Sequence, residues 1–344
     1  MPIPRRHFFK RFVMLWACLS TLLFIAAGLP SYTEAAPPRA GIAKKKHTTK
    51  QPYKKAKAKK SRYSKPVVKA KAVYCLNLAG NQTILSRNPD SQLPVASLTK
   101  LMTALVTLDK MSLKDEVSVP EHVKTIPKSV VGLKPDDRLS VKDLLHGLLM
   151  ASGNDCAETL ACAYPGGKEK FIEAMNQKAR SLGTRRTVFH SPSGLDNKKD
   201  TEEKGGKSPQ VASNLSTARE IASVARHAFM NDTIRAISLK RSYVMSGKDG
   251  NEYSVRNTNK LLRDGLPISG GKTGFTCSAG HCLVTQFTPG RNEFLIVVLG
   301  SPDHFQDTRL VYRKALEQTK ALGARRHPTR TSGYGNKGSK GWGG

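Results

Sequence analysis

Strand-like sequence stands near both ends of the apolar body of this chain, and helical sequence fills the part between. The first strand pattern covers 72–78, followed by the turn pair Gly80-Asn81 and a return strand at 83–85. Apolar periodicity predicts helices at 98–110, 141–163, 167–182, 215–230 and about 305–322, and strands at 242–245, 268–276, 281–287 and 294–299.

The late strands are joined by short connections, with Gly280 and Gly290 at turns. Parallel strands need long crossovers, so these strands are expected to be antiparallel. The predicted fold class is α/β in the broad sense, more strictly α+β. An antiparallel sheet is flanked by helices, a helical lobe is inserted between its strands, and a cleft lies between the two.

The formal net charge of +31 over 344 residues is unevenly distributed. Residues 39–72 hold fourteen Lys and Arg and no acidic residue. We therefore interpret 37–72 as a disordered Lys-rich linker, 73–323 as a mildly basic globular domain and 324–344 as a disordered basic tail. Alternatively, residues 39–72 tether the protein to an anionic envelope polymer or membrane surface. Tyr53 and Tyr63 are too sparse to stack bases, so no nucleic-acid partner is expected.

Residues 1–36 are typical of an export signal. Arg5, Arg6, Lys10 and Arg11 precede an apolar run, and small residues follow it. The run is long enough to remain as an uncleaved signal anchor, and the adjacent arginines leave the twin-arginine route open beside the general one. In each case the body is expected in the periplasm or at the outer face of the cytoplasmic membrane.

The stretch 95–102 combines a serine, a lysine three residues later and an apolar helical run. If Ser97 opens that helix, Ser97 and Lys100 lie on one face within reach of each other. A hydroxyl needs an adjacent base to become a nucleophile, and a buried lysine amine of lowered pKa can be that base. Taken alone, the motif also fits a helix-capping serine followed by a surface lysine.

Two further motifs favour the nucleophile. Ser152-Gly153-Asn154 interrupts the predicted helix 141–163, and Lys272-Thr273-Gly274 lies on the predicted strand 268–276. The three motifs in this order are typical of penicillin-recognising serine enzymes, which have an aspartate where this chain has Gly153. Over about 73–322 the chain resembles the low-molecular-mass penicillin-binding proteins of the D-alanyl-D-alanine carboxypeptidase and DD-endopeptidase family, with the β-lactamase/transpeptidase-like fold. The segments 164–167, 171–175, 192–195, 215–218 and 279–284 are also similar, and several, with His304-Phe305, are closest to the short endopeptidase branch.

The resemblance implies hydrolysis of peptidoglycan stem peptides through an acyl-enzyme, with β-lactams as covalent inhibitors. In the catalytic set, Ser97 attacks the carbonyl, Lys100 takes its proton, and Ser152 relays a proton toward the leaving amine. The backbone N–H groups of Ser97 and Phe275 are expected to form the oxyanion hole.

Further residues are implied in substrate binding. Asn154 is expected to bind substrate backbone and the Lys100 amine. Lys272 supplies positive charge that attracts the substrate carboxylate, and Thr273 donates a hydroxyl to it. Gly274 is expected to leave room for an extended substrate along the strand edge. No cofactor is expected, and no metal, because no His/Cys/Asp cluster with ligand spacing occurs in the sequence.

Some features depart from the family pattern. Carboxypeptidase relatives often place an arginine where His304 stands, which favours cleavage of cross-links, although Arg309 is close by. We interpret His281 and His304 as structural, and 196–213 as an inserted surface loop or a substrate gate. Cys277 and Cys282 flank a hairpin and could form a disulfide, although mostly buried free thiols are expected among the cysteines of the body.

Two other functions stay open at this point. A class A-like β-lactamase needs an additional carboxylate to activate water, and no Glu-x-x-Leu-Asn pattern occurs between the second and third motifs. A non-catalytic module that senses β-lactams or binds the wall would depend on the Lys-rich segment instead.

Overall fold

The computed structural model describes residues 67–127, 129–198 and 211–326. All of them belong to the unit Tyr63–Gly344, one of two into which the chain divides. The predicted export signal, the linker up to residue 66, residues 199–210 of the insertion and the tail from 327 lie outside the described residues. No helix within the described ranges is both long and apolar enough to cross a bilayer.

The described residues form thirteen strands and seven α-helices. In chain order the strands are β1 (Ala72–Asn77), β2 (Gln82–Arg87), β3 (Leu93–Pro94), β4 (Glu116–Ser118), β5 (Arg138–Ser140), β6 (Asn197–Lys198), β7 (Val211–Ala212), β8 (Leu215–Ser216), β9 (Ser242–Ser246), β10 (Glu252–Arg256), β11 (Ile268–Thr276), β12 (Gly280–Phe287) and β13 (Phe294–Ser301). The α-helices are α1 (Lys100–Lys110), α2 (Val141–His146), α3 (Asn154–Ala163), α4 (Gly167–Ser181), α5 (Ala218–Met230), α6 (Asp232–Leu239) and α7 (His304–Arg326).

The main sheet has five strands in the order β11-β12-β13-β1-β2, and every neighbouring pair is antiparallel. The prediction of an antiparallel sheet is confirmed. The first and last strands meet in the sheet, with Ala72 opposite Leu299 and Asn77 opposite Phe294. Closure of the sheet therefore requires both ends of the body, and the helical lobe is an insertion between them.

Strand β13 is buried on both faces. Leu295 and Val297 belong to the larger core, toward α5 and the lobe, whereas Ile296 and Val298 belong to a second core covered by α7. Successive side chains of a strand point to opposite faces, so the run 294–299 is apolar throughout instead of alternating. Helices on both faces hold the sheet rigid beneath the cleft.

The folded unit extends beyond the predicted boundaries at both ends. Val68 and Ala70, predicted to lie in the linker, are buried in the core beneath α7. The backbone N–H of Lys69 donates to Asp307 Oδ1 at 3.0 Å, and Arg87 Nη1 donates to the Val68 carbonyl at 2.9 Å. Among the described residues, the packed chain thus begins at Val68, inside the predicted linker. Helix α7 continues to residue 326, past the predicted start of the tail.

The lobe follows the predicted helices with one break that matters for the site. The pattern at 141–163 is α2, a π-helical turn at Gly147–Ala151 and then α3. Ser152 lies between them with φ +63°, a left-handed conformation that stops one helix and lets the next begin. The second motif therefore begins in a sharp bend at Ser152 and ends at Asn154, the first residue of α3.

Several elements differ from their sequence patterns. Helix α5 begins at Ala218 and not at 215, because Leu215–Ser216 pair with β3 and Thr217 caps the helix by accepting from the Glu220 N–H. Helix α6 was not predicted, although Asn231 caps it by accepting from the Ile234 N–H. Strand β10 also escaped prediction.

Candidate active site

Ser97 lies in a 3₁₀ turn, Ala96–Thr99, that leads directly into α1. In a 3₁₀ turn, side chains three residues apart eclipse each other. Lys100 Nζ accordingly lies 3.0 Å from Ser97 Oγ. The preceding Ala96 has φ +48°, an uncommon conformation for a residue with a side chain, and strained backbone of this kind is often retained at functional sites.

Lys100 is fully buried, and its Nζ has three partners. Besides Ser97 Oγ, the amine contacts Asn154 Oδ1 at 2.7 Å and the Ser193 carbonyl at 2.6 Å. Burial lowers the pKa of Lys100 well below its usual range, and the charge of Lys272 lowers it further. The surroundings therefore favour the neutral amine.

The hydrogen-bond partners orient that neutral amine. A neutral lysine has two N–H donors and one lone pair, and the oxygens of Asn154 and Ser193 can only accept. With both hydrogens given to those oxygens, the lone pair faces the Ser97 hydroxyl. The site thus presents a proton acceptor 3.0 Å from the predicted nucleophile.

Lys272, on β11, joins the second and third motifs. Its Nζ donates to Ser152 Oγ at 2.8 Å and to the Thr273 carbonyl at 2.8 Å, and its side chain is 1% exposed. Burial lowers the pKa of Lys272 to about 7. The left-handed bend at Ser152 aims its hydroxyl at this lysine.

The structure shows why a side chain does not fit at position 274, which the sequence did not indicate. A Cβ at this position would lie 3.0 Å from the Ser97 nitrogen, 3.2 Å from the Leu98 nitrogen and 3.3 Å from Ala96 Cβ. The expectation that this glycine makes room for substrate is thus incomplete, because the turn that carries Ser97 already fills that space. The missing side chain lets β11 approach the nucleophile directly.

A cavity of about 300 Å³ opens between β11 and the lobe. Five of the predicted residues line it: Ser97, Ser152, Thr273, Gly274 and Phe275. Lys100, Asn154 and Lys272 lie behind them in the hydrogen-bond network. A larger hollow of about 690 Å³ beside α4 is lined by none of the predicted residues. The structure therefore brings all eight predicted residues to one cleft.

The sequence patterns missed part of the lining. Ser129, Thr258, Lys260 and Phe305 also face the cavity, and Thr258 Oγ1 lies 2.5 Å from Thr273 Oγ1. Ser129 and Thr258 lie in loops and Lys260 in the 3₁₀ turn Lys260–Arg263, all outside the three motifs. Phe305 lies on α7 and belongs to the pair His304-Phe305 that the resemblance had already singled out.

Asp155 is a positioning residue that spacing alone could not identify. Its buried carboxylate accepts from the backbone N–H groups of Val131, Gly132 and Leu133 at 2.8–3.1 Å. The Asn154 N–H also donates to the Ser129 carbonyl at 2.8 Å. These bonds tie the loop that contains Ser129 to the start of α3, beside the cleft.

An aromatic shelf forms the far wall of the cavity. The rings of Phe275, His281, His304 and Phe305 contact one another in that order, with centroids 4.5, 5.0 and 4.0 Å apart, and the two histidine rings are stacked. Burial and then the neighbouring His281 lower the pKa of His304 to about 4, so this ring is neutral near pH 7. His281 and His304, predicted to be structural, therefore pack against each other and also face the cleft.

The five described cysteines, at 75, 156, 162, 277 and 282, are free thiols. Cys277 is exposed and Cys282 is buried, so the disulfide considered for this hairpin is not formed. None of the described residues that line the cavity is Asp or Glu. The arrangement offers no carboxylate there to activate water in the manner of a class A β-lactamase.

A hydroxyl nucleophile with a buried lysine base, facing a second lysine on a strand edge between a sheet and a helical lobe, defines the class of penicillin-recognising serine hydrolases. Within that class, the chain belongs to the D-alanyl-D-alanine carboxypeptidase family, whose model matches residues 59–303.

Individual relatives agree with this assignment. The D-alanyl-D-alanine endopeptidase of Escherichia coli K12 is 35% identical over 255 residues, which cover 71% of this chain and 76% of that protein. The D-alanyl-D-alanine carboxypeptidase DacF of Bacillus subtilis is 28% identical over 251 residues, which cover 72% of this chain and 61% of DacF. The solved Streptomyces K15 DD-transpeptidase matches with a TM-score of 0.66 at 28% identity, over 74% of this chain and 99% of that one. The predicted family and fold class are confirmed.

Proposed function

We propose that this chain hydrolyses the peptide bond after a D-alanine in peptidoglycan stem peptides, through an acyl-enzyme on Ser97. The observation that carries the proposal is the orientation of Lys100, whose two hydrogens have carbonyl acceptors and whose lone pair faces Ser97 Oγ at 3.0 Å. As Ser97 attacks the carbonyl carbon, its proton passes to Lys100. The carbonyl oxygen becomes an oxyanion that the N–H groups of Ser97 and Phe275 stabilise.

The second lysine supports the next step. Lys272 holds Ser152 Oγ at 2.8 Å. As the C–N bond breaks, this hydroxyl gives its proton to the leaving amine and receives the proton that Lys100 took from Ser97, so Lys100 is neutral again. The ammonium form of Lys272 also attracts an anionic substrate into the cleft. Water then attacks the ester carbonyl while Lys100 takes its proton, and the bond to Ser97 Oγ breaks as Lys100 returns that proton to the serine, which releases the shortened peptide.

Labelled penicillin tests the nucleophile directly. The full-length chain is incubated with the label, digested and mapped, and the adduct is expected on the peptide that contains Ser97. Ser97→Ala is the matched control and is expected to lose the adduct while keeping its fold. An adduct on another residue would refute the assignment. Rapid release of hydrolysed penicillin would instead support the β-lactamase alternative.

Within this activity we propose endopeptidase action on cross-links as the main reaction. His304 stands where carboxypeptidase relatives often have an arginine, and it is neutral near pH 7. Arg309, the nearby alternative, is already paired with Asp264 at 2.6 and 2.8 Å. Among the described residues that line the cavity, Lys260 is the one lysine or arginine. The Escherichia coli relative at 35% identity is itself named an endopeptidase.

Digestion of purified cross-linked muropeptides distinguishes the two reactions by mass. Cross-linked dimers are expected to be converted to monomers faster than single D-alanines are released from pentapeptide monomers. Release of D-alanine with the cross-links intact would overturn the endopeptidase proposal and leave the peptidase proposal standing. Full complementation of a deletion strain by Ser97→Ala would indicate a wall-binding role instead.

We also propose that the protein acts outside the cytoplasm, in the periplasm or at the outer face of the cytoplasmic membrane, with residues 39–72 held to an anionic envelope polymer or lipid surface. The support is the signal-like sequence of 1–36, the basic run and the location of the proposed substrate. Cell fractionation tests the location. Salt-sensitive binding to purified sacculi, compared with a variant whose lysines in 44–60 are glutamines, tests the tether.

A further inference from the structure

Three potential metal ligands that are distant in sequence meet on the helical lobe. His122 lies on the 3₁₀ turn Glu121–Thr125, and Glu158 and Cys162 lie on α3. One ligand atom of each, an imidazole nitrogen, a carboxylate oxygen and the thiol sulfur, lies within 4.8 Å of the other two. Sequence analysis did not identify this cluster, because His122 lies 36 residues before Glu158 and only tertiary packing brings its turn onto α3. Glu158 and Cys162 are 4 residues apart.

The geometry is close to what a tetrahedral metal requires. Glu158 and Cys162 are four residues apart on one helix and therefore share a face. His122 Nε2 already lies 3.2 Å from Glu158 Oε1. Ligand bonds of about 2.0–2.3 Å place ligand atoms about 3.3–3.8 Å apart around zinc, so only small rotations are needed. The side chain of His122 is 53% exposed and has room to make them.

The carboxylate of Glu158 already forms an ion pair with a lysine. Lys168, near the start of α4, places its Nζ 2.5 Å from Glu158 Oε1. The Glu158 side chain is 9% exposed, whereas that of Lys168 is 39% exposed. The carboxylate therefore has a neutralising partner that can swing into solvent when a stronger cation arrives.

We propose that His122, Glu158 and Cys162 bind one borderline divalent cation of the Zn²⁺ type, and that the metal displaces Lys168 from Glu158 and the thiol proton of Cys162 into solvent. A set of one imidazole, one thiolate and one carboxylate suits zinc better than Mg²⁺ or Ca²⁺, which prefer oxygen ligands alone. Water fills the fourth position from an adjoining cavity of about 230 Å³. Asn154 and Ser193, the two groups that orient Lys100, line the same cavity, so the site adjoins the back of the catalytic network.

Cobalt titration of the full-length, reduced chain tests the site, because Co²⁺ replaces Zn²⁺ and reports thiolate coordination. One equivalent of Co²⁺ is expected to produce a sulfur-to-cobalt charge-transfer band and the visible bands of a tetrahedral ion, and Zn²⁺ is expected to abolish both. Cys162→Ser is expected to lose the charge-transfer band. Cys277→Ser, which removes an exposed thiol remote in sequence from the cluster, is the matched control and is expected to keep it.

Two more variants make the test specific to this cluster. His122→Ala is expected to weaken Co²⁺ binding at least about tenfold. Lys168→Met is expected to tighten it about fivefold, because the competing ammonium is gone. Circular dichroism and penicillin labelling confirm that each variant is folded. A charge-transfer band that survives in Cys162→Ser, a spectrum without thiolate coordination, or unchanged affinity in Lys168→Met would overturn the proposal.

Discussion

Replacement of Gly274 by alanine tests whether β11 must touch the turn that carries Ser97. The new Cβ would lie 3.0 Å from the Ser97 nitrogen, where ordinary contact begins at 3.4 Å, so the strand or the turn must shift by about 0.4 Å. Misplacement of a catalytic group by about 1 Å costs about 100-fold in rate. Scaled to the smaller shift, Gly274→Ala is expected to acylate about sixfold more slowly.

The loss is larger if the shift also misaligns the Ser97 N–H. A lost oxyanion-hole donor costs about 100- to 1000-fold, so the sixfold figure is a lower bound. The packing conflict is expected to lower the free energy of unfolding by about 1–3 kcal/mol as well. The second-order rate of acylation by a fluorescent penicillin and the thermal midpoint measure the two effects separately.

Gly80→Ala is the matched control. A Cβ at Gly80 meets no atom within 4 Å, and the residue does not need a left-handed backbone, so rate and stability are expected to stay unchanged. Wild-type acylation by Gly274→Ala would refute the reasoning, because it would mean that the strand does not constrain the nucleophile. A stability loss with an unchanged rate would refute the catalytic part alone.

Three further predictions concern the charges in the site. Because burial lowers the pKa of Lys272 to about 7, the unfolded chain binds more protons than the folded one between pH 7 and the usual lysine range; stability is therefore expected to rise with pH across that window, and Lys272→Met to flatten the rise in thermal denaturation scans. Asn154→Asp places a carboxylate against Lys100 and raises the pKa of that amine, so acylation is expected to slow at pH 7 and to recover at higher pH, whereas an unchanged pH profile would exclude Lys100 as the base. His304→Arg puts a cation in the lining of the cleft and is expected to raise release of terminal D-alanine relative to cleavage of cross-links, as muropeptide masses would report.

Local patterns were enough to predict most of the framework. Helix periodicity located α1, α3 and α4, and the apolar strands at 268–276 and 294–299 appear where they were predicted. The break at Ser152-Gly153 was predicted because these residue types end the apolar helical pattern there, and the structure adds that Ser152 has a left-handed conformation. Helix periodicity, apolar strand runs and helix breaks depend on residues that are neighbours in sequence, so local patterns can predict them. Elements that depend on a distant partner, such as the short strand Leu215–Ser216 against β3, were missed for the same reason.

The amino-acid sequence by itself determined the family and the antiparallel sheet with its helical insertion, and it predicted eight site residues that the structure brings to one cleft. Tertiary structure alone decided how they act together: the lone pair of Lys100 is aimed by Asn154 and the Ser193 carbonyl, 54 and 93 residues away. It also decided that Gly274 is required by the Ser97 turn, and that His122 meets Glu158 and Cys162. Burial, desolvation and close approach arise between segments remote in sequence, and no local pattern encodes them.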